Sequence, residues 1–201
     1  MFNEDHRKYN KSIWTKFGKE VNGIHELELH TLYGRITYEV HPWEVVLDTF
    51  ARPRLPSRVE IDEYTRIRAP YTNHNGFVCE IYESKYISEI SKFFGMQDVE
   101  IGDKQFDKRF IVKSNNEINV WRLLKNDRIR KLILNLPNVN LKVSSDKRIF
   151  SSVHPDARNE IILEIDSIIS DLDVLRELSE LMLLLLNTLC KIDTECKNNL
   201  P

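Results

Sequence analysis

Apolar side chains recur along this chain with two different periods, and the changeovers divide it into segments. Near the N-terminus, Tyr9, Ile13, Phe17 and Val21 return every four residues, which is the spacing of one helix face. Asn3 is placed to cap that helix and Asn22-Gly23 to stop it. From Ile24 to Ser84 the period becomes two. Leu27 with Leu29, Ile36 with Tyr38, Trp43 to Phe50, Val59 to Ala69 and Phe77 to Ile81 read as strands. Gly34, Pro42, Pro53, Pro56 and the Asn73 to Gly76 run supply turns between them. Because parallel neighbours need crossovers of about a dozen residues, these short connections predict an antiparallel meander.

After Ser84, Ile87, Ile90, Phe93 and Phe94 predict a short helix ended by Gly95. The stretch from Gly95 to Ser114 is the joint of the chain. Val99 to Ile101 and Phe110 to Val112 flank a turn at Gly102-Asp103, so the chain is expected to reverse there and re-enter the sheet. Ser114 and Glu117 have capping-box spacing and predict a helix with Ile118, Trp121 and Leu124 inward. Asn126 or Asp127 caps a second helix carrying Ile129, Leu132, Ile133 and Leu136. Strands resume at Val139, Leu141 and Val143, a turn is expected around Ser145-Asp146, and Ile161, Leu163 and Ile165 alternate in another strand.

A last helix runs from about Ser170 to Cys190, with Ser170 as its cap and Asp173 at the capping-box position. Leu172, Leu175, Leu178, Leu181, Met182, Leu185 and Leu189 form a broad stripe, and Leu183, Leu184 and Leu186 extend it nearly around the helix. One-sided cover does not suffice for such a helix. Either the sheet and the first helix enclose it, or a second subunit shares it as a homodimer. The expected fold class is α+β: a curved antiparallel sheet, a meander, packed by a long C-terminal helix, an N-terminal helix and a central helical pair. Residues 1–201 are expected to form a single domain. Its parts are an N-terminal helix (1–23), the meander (24–84), the joint and helical segment (85–136), and the last strands with the C-terminal helix (137–201).

Alternation also assigns faces. On the fourth strand, Val59, Ile61, Glu63, Thr65, Ile67 and Ala69 share one side, and Glu60, Asp62, Tyr64, Arg66 and Arg68 the other. On the next, Phe77, Cys79 and Ile81 oppose Glu80 and Tyr82. A simple hairpin at Asn73 to Gly76 would place Arg66 near Glu80 as a cross-strand ion pair. The same geometry makes Tyr64, Arg66, Arg68 and Tyr82 an aromatic and basic platform, the candidate site for a small anionic ligand or single-stranded nucleic acid.

Composition narrows the function. Twenty-nine basic residues nearly balance 31 acidic ones, which argues against nucleic-acid binding by a strongly basic protein. Charge is local instead. Residues 102–131 hold nine bases and four acids, whereas 156–195 hold ten acids and three bases, so the two segments can complement each other within one chain or between chains. The polar start, MFNEDHRKYNKS, lacks the apolar core of a secretory signal, and the longest apolar run, Leu181 to Leu186, is far short of a membrane span. Cys79, Cys190 and Cys196 have no paired spacing and read as thiols of a cytoplasmic protein.

Motifs with chemistry are mostly missing. The sequence holds no glycine-rich phosphate loop, GxSxG, HExxH or paired-cysteine signature. The histidines at 6, 25, 30, 41, 74 and 154 are scattered. Asp98, Glu100, Asp103 and Asp107 raise a calcium or magnesium site, but Lys104, Lys108 and Arg109 among them favour ordinary salt bridges, and no metal is assigned. A Cys79–His74 pair is set aside because Cys79 shares the apolar phase of its strand. No catalytic residue and no cofactor is assigned.

The segments WEVVLDTF (43–50), YTRIRAPY (64–71), FGMQDVEIGDKQFDKRFIVKSNN (94–116) and the final helix resemble an uncharacterised family of bacterial conserved hypothetical proteins of about this length. The likeness covers most of the chain from Trp43 onward, and GMQDVEIGD followed by FDKRF is its most specific part. It implies no activity, cofactor or site residue. The expected function is therefore a non-enzymatic cytoplasmic binding protein, taking a protein partner or small anionic ligand through its sheet face or terminal helix. The alternative is an enzyme whose site is assembled from distant residues without a local motif.

Overall fold

The computed structural model describes residues 4–26, 34–53, 61–84, 96–144 and 159–198. Its centre is an open, curved antiparallel sheet of nine strands. These are β1 (Ile24–Glu26), β2 (Arg35–Val40), β3 (Trp43–Pro53), β4 (Ile61–Tyr71), β5 (Cys79–Glu83), β6 (Gln97–Asp98), β7 (Phe110–Ser114), β8 (Val139–Ser144) and β9 (Asn159–Ile165), in spatial order β1-β2-β3-β4-β9-β8-β5-β7-β6. The described helices are α1 (Glu4–Glu20), α2 (Lys104–Arg109), α3 (Glu117–Leu124), α4 (Asp127–Asn135) and α5 (Leu172–Asn198). The chain is thus α+β with a long C-terminal helix.

β1 to β4 form the expected meander, but β5 does not continue it. The β8 and β9 strands enter between β4 and β5, with Ile67 opposite Leu163 and Ile81 opposite Leu141. The hairpin expected at Asn73 to Gly76 is therefore absent, and with it the Arg66–Glu80 pair. Two causes are visible. β9 buries Ile161, Leu163 and Ile165 on one face and Ile162 on the other, which suits it to a central position rather than an edge. The 73–78 loop is also tied elsewhere: Asn115 Nδ2 donates to the Gly76 carbonyl, Val78 N to Asn115 Oδ1, and Ser114 Oγ to the Val78 carbonyl. Those bonds hold β5 beside β7.

The inward face of the sheet and the helices form one apolar core. α5 lies within it. Leu175, Leu178, Leu181, Met182, Leu185, Leu186, Leu189 and Ile192 are buried, and α5 touches α1, α3, α4 and β4. Cover on several sides thus comes from the same chain, and Arg128 to Glu180 (2.6 Å) joins the cation-rich to the acid-rich segment within it. The cap is Asp171, not Ser170: its Oδ1 accepts from Asp173 N and Val174 N. On α1, Trp14 and Phe17 are the buried anchors, with Ile13 and Val21 at the margin. Trp14 lies outside the four-residue stripe, yet its Nε1 donates to the Ile169 carbonyl in the segment leading into α5. Asn3, Leu27, Leu29, the segment from Ile87 to Gly95 and the Ser145-Asp146 turn lie outside the described residues.

The joint reverses as expected, with β6 pairing β7 and Gly102 at φ +78°, but the turn contains α2. Asp103 caps that helix, accepting from Gln105 N and Phe106 N. Arg109, at its end, donates to the Leu134 and Leu136 carbonyls and to Glu83 Oε1 (2.7 Å), while Asn138 N donates to the same carboxylate oxygen. One guanidinium thereby closes the C-terminus of α4 against β5.

Candidate functional site

The platform residues do share a face, the one opposite the described helices. Arg66 is flanked in register by Asp48 on β3 and Glu164 on β9, and the same row continues through Asn140 to Tyr82. Tyr82 therefore stands three strand spacings from Arg66, about 14 Å. The two halves of the platform are separated by Glu164 and Asn140 rather than adjacent, because β9 and β8 lie between them.

The guanidinium groups are also engaged. Asp48, only 1% exposed, accepts from Arg66 Nε and Nη2 at 2.9 Å each and from Arg68 Nη2 at 3.1 Å. Burial lowers the proton affinity of Arg66, but the bidentate bond to Asp48 together with the negative charges of Asp48, Glu164 and Glu160 outweighs it and leaves its pKa raised. Arg68, buried and beside Arg66, has its pKa lowered, since its single bond to the shared carboxylate compensates less. Phe50 stacks on Tyr64 (5.1 Å between centroids), and Arg66 lies 4.6 Å over the Phe50 ring. Tyr82 is buried, and that burial raises its pKa, helped by Asp98 and Glu80. Glu80 pairs with Lys142 at 2.9 Å. The cations and rings of this face hold one another.

The remaining candidates are structural in their contacts. Asp193 near the end of α5 accepts His74 N and Asn75 N on Oδ1 and meets His74 Nδ1 on Oδ2 at 2.7 Å, which clamps the 73–78 loop to the helix. Cys79 is fully buried, and burial pushes its thiol pKa well up, away from a nucleophilic thiolate. Asp107 Oδ1 accepts Ile101 N, Asp103 meets Arg130 at 3.3 Å and Asp98 meets Lys113 at 3.5 Å. Among the described residues no three His, Cys, Asp or Glu side chains converge.

Among the described helices, α3 carries the exposed large apolar side chains, and they are two of the three residues expected to face inward. Its cap is Asn116, which accepts Asn119 N, while Ser114 belongs to β7 and bonds the Val78 carbonyl. Leu124 is buried as expected, together with Val120 and Leu123, but Ile118 is 66% and Trp121 45% exposed. These two lie one helical turn apart on one face. They border a groove of about 460 Å³ with Ile101 and Leu124 in its lining and Arg122 and Lys125 exposed on its rim. Arg130 lines it too, held by the Leu124 carbonyl and Asp127. Trp121 Nε1 donates to Glu117 at 3.3 Å, which steadies the indole. A spacing of three residues between Ile118 and Trp121 marks a helix face but not which way it points; packing against α4 and α5 decides that.

No family model matches this sequence. No curated protein matches it either. Among solved structures, the chain is similar to the crystal structure of the mycobacterial trehalose monomycolate transport factor A, TtfA, at 11% identity and a TM-score of 0.47, with 91% of this chain and 97% of that one covered. No described helix is long and apolar enough to cross a membrane.

Proposed function

We propose that the protein is a non-catalytic binding module that meets a macromolecular partner through Ile118 and Trp121 on α3. The observation that carries this reading is the exposure of two large apolar side chains on one face of a helix whose other face is fully buried. Only Ile24 joins them as an exposed large apolar side chain among the described residues. A groove with an apolar lining and a charged rim is the usual form of a surface that excludes water on contact. The thiols of Cys79 and Cys190 support a cytoplasmic setting.

The sheet platform is the weaker reading. A small anionic ligand at Arg66 and Arg68 would have to displace Asp48, which already offers both guanidinium groups a buried carboxylate. A homodimer through α5 is weaker as well, since the leucines that would form it are enclosed by α1, α3, α4 and β4.

The test is in-cell photo-crosslinking with benzoylphenylalanine at position 118 and, as a control, at exposed position 39 on the far strand β2. Discrete adducts at 118 that are absent at 39 are expected. Equal or absent adducts at the two positions overturn the reading.

A further inference from the structure

We infer that a lysine-lined groove on α1 binds a small soluble ligand carrying two or more phosphate groups. From His6 to Lys19 the sequence holds five Lys and Arg and no Asp or Glu, in a chain whose net charge is -2. The fold turns part of that run into one surface. Trp14 and Phe17 are buried and fix the inward side of α1, Trp14 through its bond to the Ile169 carbonyl and Phe17 edge-on to Tyr38. Lys11, Ser12, Thr15, Lys16 and Lys19 consequently lie on the outward side, where they line a groove of about 430 Å³. That volume falls within the range of small-molecule sites. Ammonium groups meet phosphate oxygens as point charges without demanding a fixed geometry, and the Thr15 hydroxyl adds a donor between them.

The positive charge is not neutralised from within. No acid lines the groove among the described residues, and the ammonium groups of Lys11 and Lys19 meet no described carboxylate. Lys16 feels Glu20 one turn on, but both oxygens of that carboxylate accept from Arg176, at 2.9 and 2.8 Å. On α5, Asp173 bonds Arg176 as well and Glu180 bonds Arg128. Like charges three residues apart on a helix repel, so an anion between Lys16 and Lys19 relieves a repulsion that the free protein carries. Size and composition then select the ligand. From Lys11 to Lys19 the helix rises about 12 Å, the reach of a small polyphosphate rather than of a nucleic-acid tract. No ring lines the groove to stack a base, as binding of a single strand takes. A lipid surface fits poorly too: an interfacial helix lays its apolar side in the membrane, whereas that of α1 is buried in the core.

The experiment titrates inorganic tripolyphosphate into the intact protein by isothermal calorimetry at about 0.05 M salt. Saturable binding of one ligand per chain is expected, weakened about tenfold by Lys11→Gln/Lys16→Gln/Lys19→Gln and likewise by raising salt to about 0.5 M. Lys104→Gln/Lys108→Gln/Lys131→Gln removes the same charge from exposed positions on α2 and α4 and should leave the affinity unchanged. Inorganic monophosphate should bind at least about tenfold more weakly than tripolyphosphate, since it meets fewer of the lysines. No saturable binding below about 1 mM, equal losses in the two triple variants, or monophosphate as tight as tripolyphosphate overturns the proposal. Two further arms use vesicles of phosphatidylcholine with about one-fifth phosphatidylserine and an oligothymidylate of about 12 nucleotides. Either one bound more tightly than tripolyphosphate, and released by Lys11→Gln/Lys16→Gln/Lys19→Gln, overturns the small ligand in favour of a lipid surface or a single strand.

Discussion

Replacing Asp48 with alanine should destabilise the protein by about 3–5 kcal/mol, the usual result of removing one partner from a buried charge cluster. The carboxylate is 1% exposed and joins the two guanidinium groups of Arg66 and Arg68, whose side chains are 17% and 8% exposed. Without it, two like charges face each other with little solvent to screen them, and three hydrogen bonds to charged groups disappear together. Asp48→Asn keeps the volume and one acceptor, so it should lose about half as much. In Asp48→Ala/Arg66→Ala part of the repulsion goes, and the two single effects should fall short of additivity by about 1–3 kcal/mol. Urea unfolding followed by far-ultraviolet circular dichroism measures these three variants and the Arg66→Ala single. With an m-value of about 2–3 kcal/mol/M, the Asp48→Ala midpoint should fall by about 1–2.5 M. A loss below about 1 kcal/mol at unchanged m would refute the reasoning.

Leu185 is fully buried in α5, so Leu185→Asp should cost several kcal/mol, and truncation after Ser170 should leave an insoluble or molten product; a monomeric truncation that unfolds cooperatively would contradict this. By contrast, Ile118→Glu should change stability by no more than about 0.5 kcal/mol, which thermal unfolding can check. Gly102→Ala should cost about 1–2 kcal/mol through its φ of +78° alone, since the new Cβ would meet Trp121 at an ordinary 3.8 Å; a neutral result in urea unfolding would show that the turn relaxes. Burial pushes the Tyr38 hydroxyl up to about 12 against an opposing bond to Ser179. The folded state therefore holds this proton more tightly than the unfolded chain. Its contribution is complete below pH 10 and lost as pH rises from 10 to 12, so Tyr38→Phe should show a shallower loss of stability above pH 10, and parallel profiles would count against it.

What the sequence determined by itself was element type and most of the strand phases. Alternation at Ile67 and Ala69, at Leu141 and Val143 and at Ile161 and Leu163 grouped the residues of three strands that share the face toward the apolar core, because a pleated strand leaves a side chain only two faces to choose from. The leucine density of α5 likewise required cover on several sides wherever the helix lay. Position in the sheet was decided only in the tertiary structure. Nothing local to Asn73–Gly76 shows that β8 and β9 will enter beside β4, since pairing choice compares strands far apart in sequence; Arg66 consequently met Asp48 rather than Glu80. The rotation of α3 was hidden for a related reason. Ser114 and Asn116 are both competent caps; Ser114 closes β7, its Oγ donating to the Val78 carbonyl and accepting from Asn116 N, while Asn116 caps the helix that begins at Glu117, where packing leaves Ile118 and Trp121 exposed. A one-dimensional pattern fixes which residues share a face; which face meets the core depends on hydrogen bonds made by residues that the chain brings together only on folding.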